Sequence, residues 1–256
     1  MNFKLGRNRP PVKRMMRLRD YRTAVVLPTP PLSCSYAPKA APALSQMYLN
    51  DELGDCVIAG MAHLVGVFTG NAGQVPDQFT TDQITGMYSA IGGYVPGDPS
   101  TDQGCDERTA MAYWQSQGAP AGSNQIAGWV SIDGTNIQRV KTALWLFENL
   151  LFGVELPDRW VNPAPEAPGF VWDIAGPAVE DNGHCFVGVG YDQQGVIIDS
   201  WGMLGKITYQ AIAAYATAGG SGELYAVISP EVIARATAKS PTGYDWTALQ
   251  TDFQSF

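Results

Sequence analysis

Residues 56–70 read CVIAGMAHLVGVFTG, a run whose apolar and small side chains cover nearly every face of a helix. A helix with no polar stripe cannot lie on a surface, so the rest of the chain must enclose it. Gly70 supplies a stop, and Asp55 stands where its carboxylate can accept from the first free backbone N–H groups. Enclosing such a helix takes a sizeable core. The chain has 256 residues, 45% hydrophobic and 11% aromatic, enough for one large domain or two small ones. That composition excludes a disordered chain.

Further helices follow, and then the pattern changes. TDQITGMYSAIGG from Thr81, DERTAMAYWQSQG from Asp106 and TNIQRVKTALWLFE after the Asp133-Gly134 turn predict three more helices. Beyond them NLLFGVELP, HCFVGVGYD, GVIIDSWG, GKITYQ and GELYAVISP are short β-branched runs bounded by glycine, which read as strands. Helices first and strands second predict an α+β protein of two subdomains. Residues 28–44 hold five prolines and are expected as extended chain.

The net charge of −8 is unevenly spread. Lys4, Arg7, Arg9, Lys13, Arg14, Arg17, Arg19 and Arg22 are half of all basic residues, and only Asp20 opposes them. Residues 1–22 therefore carry a net +7 and residues 23–256 a net −15. A basic arm is expected to lie against an acidic surface, on this chain or on a neighbour. A solvated tail, an assembly arm and a nucleic-acid contact all stay open, and the lack of interleaved aromatics argues against the last. No stretch approaches the roughly 20 apolar residues that cross a bilayer, so no membrane partner is expected. The basic start has no apolar segment behind it and does not read as a secretory signal.

Cys34, Cys56, Cys105 and Cys185 form no C-x-x-C pair. Their spacing argues against structural zinc and their number against a dense disulfide framework. Reduced thiols are expected, in the cytoplasm, another reducing compartment or an assembled particle. Neither a metal site nor a cofactor fingerprint is visible, and no cofactor is expected.

Two segments can carry chemistry. NDELGDCVIAG, residues 50–60, puts Cys56 at the first turn of the buried helix, where N–H groups and the helix dipole favour a thiolate. DNGHCFVGVGYDQQGVIIDSWG, residues 181–202, puts His184 at the head of one strand and Asp199 at the end of the next, so a hairpin would bring the two together. Nucleophile, base and orienter are the parts of a covalent acyl-transfer site. Only two histidines are present. His63 lies about two turns, roughly 10 Å, along the same helix as Cys56 and cannot be its base, which leaves His184 within an expected 4 Å or so of the sulfur. Cys185 reads as a buried strand residue, Cys34 as a free thiol and Asp181 as a turn residue.

These segments resemble the papain family of cysteine peptidases. Asn50 holds the place of the family's glutamine, six residues before the nucleophile, and Gly54-Asp55-Cys56 that of its Gly-x-Cys. Gly104-Cys105 is similar to its Gly-Cys before a helix, His184 to Tyr191 to its histidine-led strand, and Asp199-Ser200-Trp201-Gly202 to its Asn-Ser-Trp-Gly. The matches run in order over about residues 28–228. The resemblance implies an N-terminal helical subdomain, about 45–130, packed on a C-terminal antiparallel sheet or barrel, about 131–229, with the site in the cleft between them. Residues 1–28 would be an arm and 230–256 a C-terminal extension. Cys56 would attack a carbonyl, His184 would shuttle the proton, Asp199 would orient the ring and Trp201 would shield that contact. Asn50 and the Cys56 N–H would hold the oxyanion.

Several positions depart from the family pattern. Asn50 is one methylene shorter than glutamine, Asp199 stands for asparagine, and Val57 to Gly60 lack the tryptophan after the nucleophile. Asp106-Glu107 replace paired glycines that bind substrate backbone, which implies a blocked or altered cleft. Leu53 stands at a half-cystine position. The span before residue 28 is too short for a long inhibitory pro-segment. Two readings stay open: a peptidase or amidase acting on a peptide or isopeptide bond of a protein substrate, and a papain-like binding or assembly module, such as a component of a phage virion.

Overall fold

A computed structural model describes residues 3–9, 29–217 and 222–239. The all-round apolar run forms α2 (Cys56–Asn71), and every residue from Cys56 to Gly70 in it is buried. Before it come β1 (Cys34–Ser35) and α1 (Ala41–Leu44). The proline-rich stretch expected as extended chain thus includes a short helix. Pro42 lies in its first turn, where a missing N–H costs nothing.

Helices α3 (Thr81–Gly92), α4 (Glu107–Gln117) and α5 (Ile137–Phe147) follow, with β2 (Gly128–Ser131) between the last two. Thr80 closes a capping box with Gln83 at the start of α3, and Asp106 accepts from the Arg108 and Thr109 N–H groups at the start of α4. Then come β3 (Leu150–Pro157), β4 (Val171–Trp172), β5 (Ala178–Tyr191), β6 (Gly195–Ser200), β7 (Met203–Thr208), α6 (Tyr209–Tyr215), β8 (Gly222–Ile228) and α7 (Pro230–Lys239). The extension after residue 229 begins as α7, tied to the end of α5 by Arg235 donating to Glu148 at 2.6 Å. Residues 240–256 lie outside the described residues.

The strands form a single sheet in the order β2-β8-β3-β5-β6-β7-β4, with β1 added to β5. Every pairing is antiparallel except β4 with β7. The buried β3 and β5, the latter buried from Gly183 onward, lie at its centre, and α2 crosses the face that carries Cys185 and Val187. A Cβ at Gly60 would come 3.3 Å from Cys185 Sγ and 3.7 Å from Val187 Cγ1, so helix and strand meet at close range. The other face carries Phe152 stacked on Phe186 at 4.7 Å. Each such side chain contributes about 1.5–3 kcal/mol on burial. This is an α+β protein whose first half supplies the helices around α2 and whose second half supplies most of the sheet.

Candidate functional site

Cys56 opens α2 and is 1% exposed. Asp55 precedes it but makes no side-chain cap bond, contrary to the sequence expectation. Its carboxyl is wholly buried, and that burial lifts its pKa well above the usual carboxylate range. A carboxyl that keeps its proton is a poor acceptor for the helix N–H groups. The Cys56 thiol behaves likewise. Burial pushes it up to about 12, and the Cys185 and Gly6 backbone N–H groups, which favour the thiolate, only partly offset this. The expected helix-terminus activation is therefore overridden by desolvation.

His184 is wholly buried in β5. One ring nitrogen, Nε2, lies 2.9 Å from Ser200 Oγ. Nδ1 has no hydrogen-bond partner among the described residues, so no hydrogen bond joins it to Cys56. Trp201 stacks on the imidazole with centroids 4.3 Å apart, and Trp172 meets that indole edge-on at 5.9 Å. Burial holds the imidazole neutral, lowering its pKa to about 3.

Asp199 is not the residue beside His184. Its Oδ2 lies 3.2 Å from Nδ1 of His63, whose Nε2 lies 3.0 Å from the Gln46 carbonyl. The cause is a register shift in β5. Val187 pairs with Asp199 and Gly188 with Ile198, but Gly190 pairs with Ile197, so Val189 is an extra residue. Without it, Asp199 would share a face with His184. With it, the even-numbered His184 and Phe186 share their face with Ser200, while Asp199 joins Cys185 and Val187 on the α2 side. The DSWG motif thus supplies Ser200 where its aspartate was expected. Counting strand parity alone could not reveal this, because the bulge carries no residue signature of its own.

Residues 3–9 cross this site as an extended strap. The Lys4 N–H donates to Asn50 O at 3.3 Å, and Asn50 Nδ2 donates to Lys4 O at 3.4 Å and Leu53 O at 3.3 Å. Cys105 N–H donates to Gly6 O at 2.9 Å, Asn8 N–H to Cys105 O at 2.9 Å, and Arg7 N–H to Gly183 O at 3.1 Å. Phe3 stacks on Trp201 at 4.5 Å. Every segment that the sequence singled out, from Asn50 and Gly54 through Cys105 to His184 and Trp201, touches the strap or adjoins a residue that does.

Glycines make room for it. A Cβ at Gly104 would fall 1.7 Å from Gly6 O, and one at Gly183 would fall 2.3 Å from Arg7 O. The Gly54 N–H donates to Asp102 Oδ1 at 2.9 Å, fixing the turn before the cysteine.

The strap's cations meet carboxylates of the same chain. Lys4 lies 3.6 Å from Asp102, Arg9 pairs with Glu155, and Arg7 pairs with Glu107 and Glu223. Of the two residues expected to alter the cleft, Asp106 caps α4 and Glu107 is wholly buried beneath Arg7. The basic positions from Lys13 to Arg22 lie outside the described residues. No disulfide joins Cys34, Cys56, Cys105 or Cys185.

Comparison with known proteins defines the class of fold. No protein-family model and no curated protein matches the chain. Solved structures do. Xylellain, a cysteine protease from Xylella fastidiosa, superposes with a TM-score of 0.63 at 15% identity, over 89% of this chain and 97% of that one. Digestive procathepsin L 3 of the Tenebrio molitor larval midgut gives 0.56 at 12%, over 84% and 76%. The ragweed pollen allergen Amb a 11, a cysteine protease in its proform, gives 0.55 at 14%, over 82% and 68%. This chain has the papain-like fold of those cysteine proteases.

Proposed function

We propose that this chain is a thiol hydrolase of peptide or isopeptide bonds, with Cys56 as nucleophile and His184 as base, closed by its own residues 3–9. The observation that carries the reading is the strap itself: an extended peptide held by main-chain hydrogen bonds directly over a thiol at a helix N-terminus. A cleft that holds one peptide this way can hold another.

The chemistry follows from the groups around the sulfur. With Nε2–H donating to Ser200 Oγ, the free Nδ1 of His184 can take the Cys56 proton. The thiolate attacks the carbonyl carbon, and the oxygen that becomes negative can accept from Asn50 Nδ2, a donor already aimed at a strap carbonyl. His184 returns the proton to the leaving amine. Water then hydrolyses the thioester with the same ring as base.

Opening the strap is the test. A Cβ on Gly6 would fall 1.8 Å from Gly54 O, so Gly6→Ala must lift the segment. Gly6→Ala should hydrolyse peptides that the wild-type chain leaves intact, and Gly6→Ala with Cys56→Ala should not. Turnover surviving the loss of Cys56, or none in the folded Gly6→Ala chain on a diverse peptide library, would sink the reading. The binding-module alternative draws on the basic arm. Its described cations Lys4, Arg7 and Arg9 all meet carboxylates of the same chain, which favours a strap over a docking arm.

A further inference from the structure

We propose that the cavity beneath Arg7, walled by Glu107 and Glu223, is a subsite for a basic side chain, so that the cleft selects peptides in which glycine precedes arginine or lysine. This rests on the peptide-cleft reading above and names what the cleft selects. The Arg7 side chain is 3% exposed. Its Nε lies 3.3 Å from both Glu107 carboxylate oxygens, and its Nη2 donates to Glu223 Oε1. The other Glu223 oxygen accepts from the Tyr225 hydroxyl and lies 3.4 Å from Arg108 Nη2. Glu107 is 0% exposed and Glu223 9%.

The space is kept open by Gly153, which pairs with Glu223 across β3 and β8. A Cβ there would sit 2.2 Å from Glu107 Oε1 and 2.9 Å from Arg7 Nε. Stability alone does not call for such a cavity, because apolar side chains of the same volume stabilise a core at least as well as buried ions. Its occupant is also unlike the other walls, since it comes from the segment that lies in the cleft as a peptide would.

The main-chain bonds of Gly6 and Arg7 could be made by any sequence. Selection therefore falls to the side-chain positions. At the Arg7 position the buried Glu107 and Glu223 carboxyls both accept from the guanidinium, and at the preceding position the 1.8 Å approach to Gly54 O admits only glycine. When Arg7 leaves, Arg108 stays 3.4 Å from Glu223, while Glu107 loses the guanidinium that offsets its burial, so a cation that returns regains the contacts to both Glu107 oxygens and to Glu223.

The experiment empties the cavity and refills it from outside. In the full chain carrying Gly6→Ala and Arg7→Ala, with folding checked by circular dichroism, Cys56 alkylation by iodoacetamide is followed by residue-resolved mass spectrometry. The peptide FKLGRNR should protect Cys56 at concentrations roughly 30-fold lower than FKLGLNR. Adding Glu223→Gln should erase that difference. If Arg7→Ala does not fold, the same comparison is made in Gly6→Ala with and without Glu223→Gln. Equal protection by the two peptides, or none by either, overturns the subsite. Hydrolysis is scored separately: arginine-dependent protection without turnover leaves the subsite and removes the hydrolase, whereas turnover without preference does the reverse.

Discussion

His184 and Ser200 share a face of the sheet because β5 gains one residue, Val189, in its pairing with β6. The cysteine at a helix start was legible from local pattern, and so was a histidine in a strand, although β5 begins at Ala178 and puts His184 in its middle rather than at its head. The third member was not, since a bulge flips parity without changing composition. If Ser200 orients the ring through a neutral hydrogen bond worth about 1 kcal/mol, Ser200→Ala should lower kcat/KM of the strap-opened enzyme roughly fivefold. Asp199→Asn should leave both the rate and its pH profile unchanged. A large effect of Asp199→Asn with none of Ser200→Ala would reverse the assignment.

The same histidine makes a pH prediction. Burial lowers the His184 pKa from 6.5 to about 3, so between those values the unfolded chain binds a proton that the folded chain refuses. The stability that His184 contributes is thus full above pH 6.5 and is lost as pH falls towards 3, at about 1.4 kcal/mol per pH unit. In urea denaturation, the stability difference between wild type and His184→Gln should shrink with that slope as pH drops from 6.5 to 4. A difference that stays constant would mean a solvated ring.

Among the elements, α2 does most to hold the site. Its first turn carries Cys56, and its third pins the helix to β6 through His63 and Asp199. The Gln46 carbonyl accepts from His63 Nε2, so Nδ1 of the neutral ring carries its lone pair towards Asp199, whose Oδ2 lies 3.2 Å away. That agrees with the buried Asp199 keeping its proton, its pKa raised well above the usual range, and with His63 lowered to about 4. Asn keeps a polar group against Nδ1 and Leu does not. Asp199→Asn should therefore cost little stability, and Asp199→Leu about 1–3 kcal/mol by chemical denaturation. Equal losses would mean that packing, not the polar contact, fixes the pair.

Long elements were the readable ones. Helices α2 to α5 and the strands from β3 onward, β4 excepted, carry enough period to declare themselves. β1 and β4 are two residues each, and they exist only because β5 and β7 offer free edges. Helix α6 is seven residues, short enough that its tertiary setting decides it.

For the whole molecule, a +7 arm on a −15 body raised the expectation of an acidic partner surface, on this chain or a neighbour, and residues 3–9 find theirs within the chain. What charge could not announce was where, because like carboxylates are distinguished only by the backbone around them. Gly104 and Gly183 leave a path for a peptide, and Glu107 waits beneath it. Residues 3–9 are thus placed by sterics first and by charge second. On the proposed reading the site is shut by residues 3–9, with its thiol desolvated and its imidazole neutral, and activation would consist of removing that one short segment.

The most direct measurement is the alkylation rate of Cys56 from pH 6 to 10, resolved by residue, in the wild-type chain and in Gly6→Ala. Under the strap the thiol titrates near 12, so the wild-type rate should stay low and still be rising at pH 10. Lifting the strap lets water and His184 reach the sulfur, and the Gly6→Ala rate near pH 7 should be at least about tenfold higher. Identical profiles for the two chains, or a wild-type Cys56 that reacts as fast as an exposed thiol, would contradict the account.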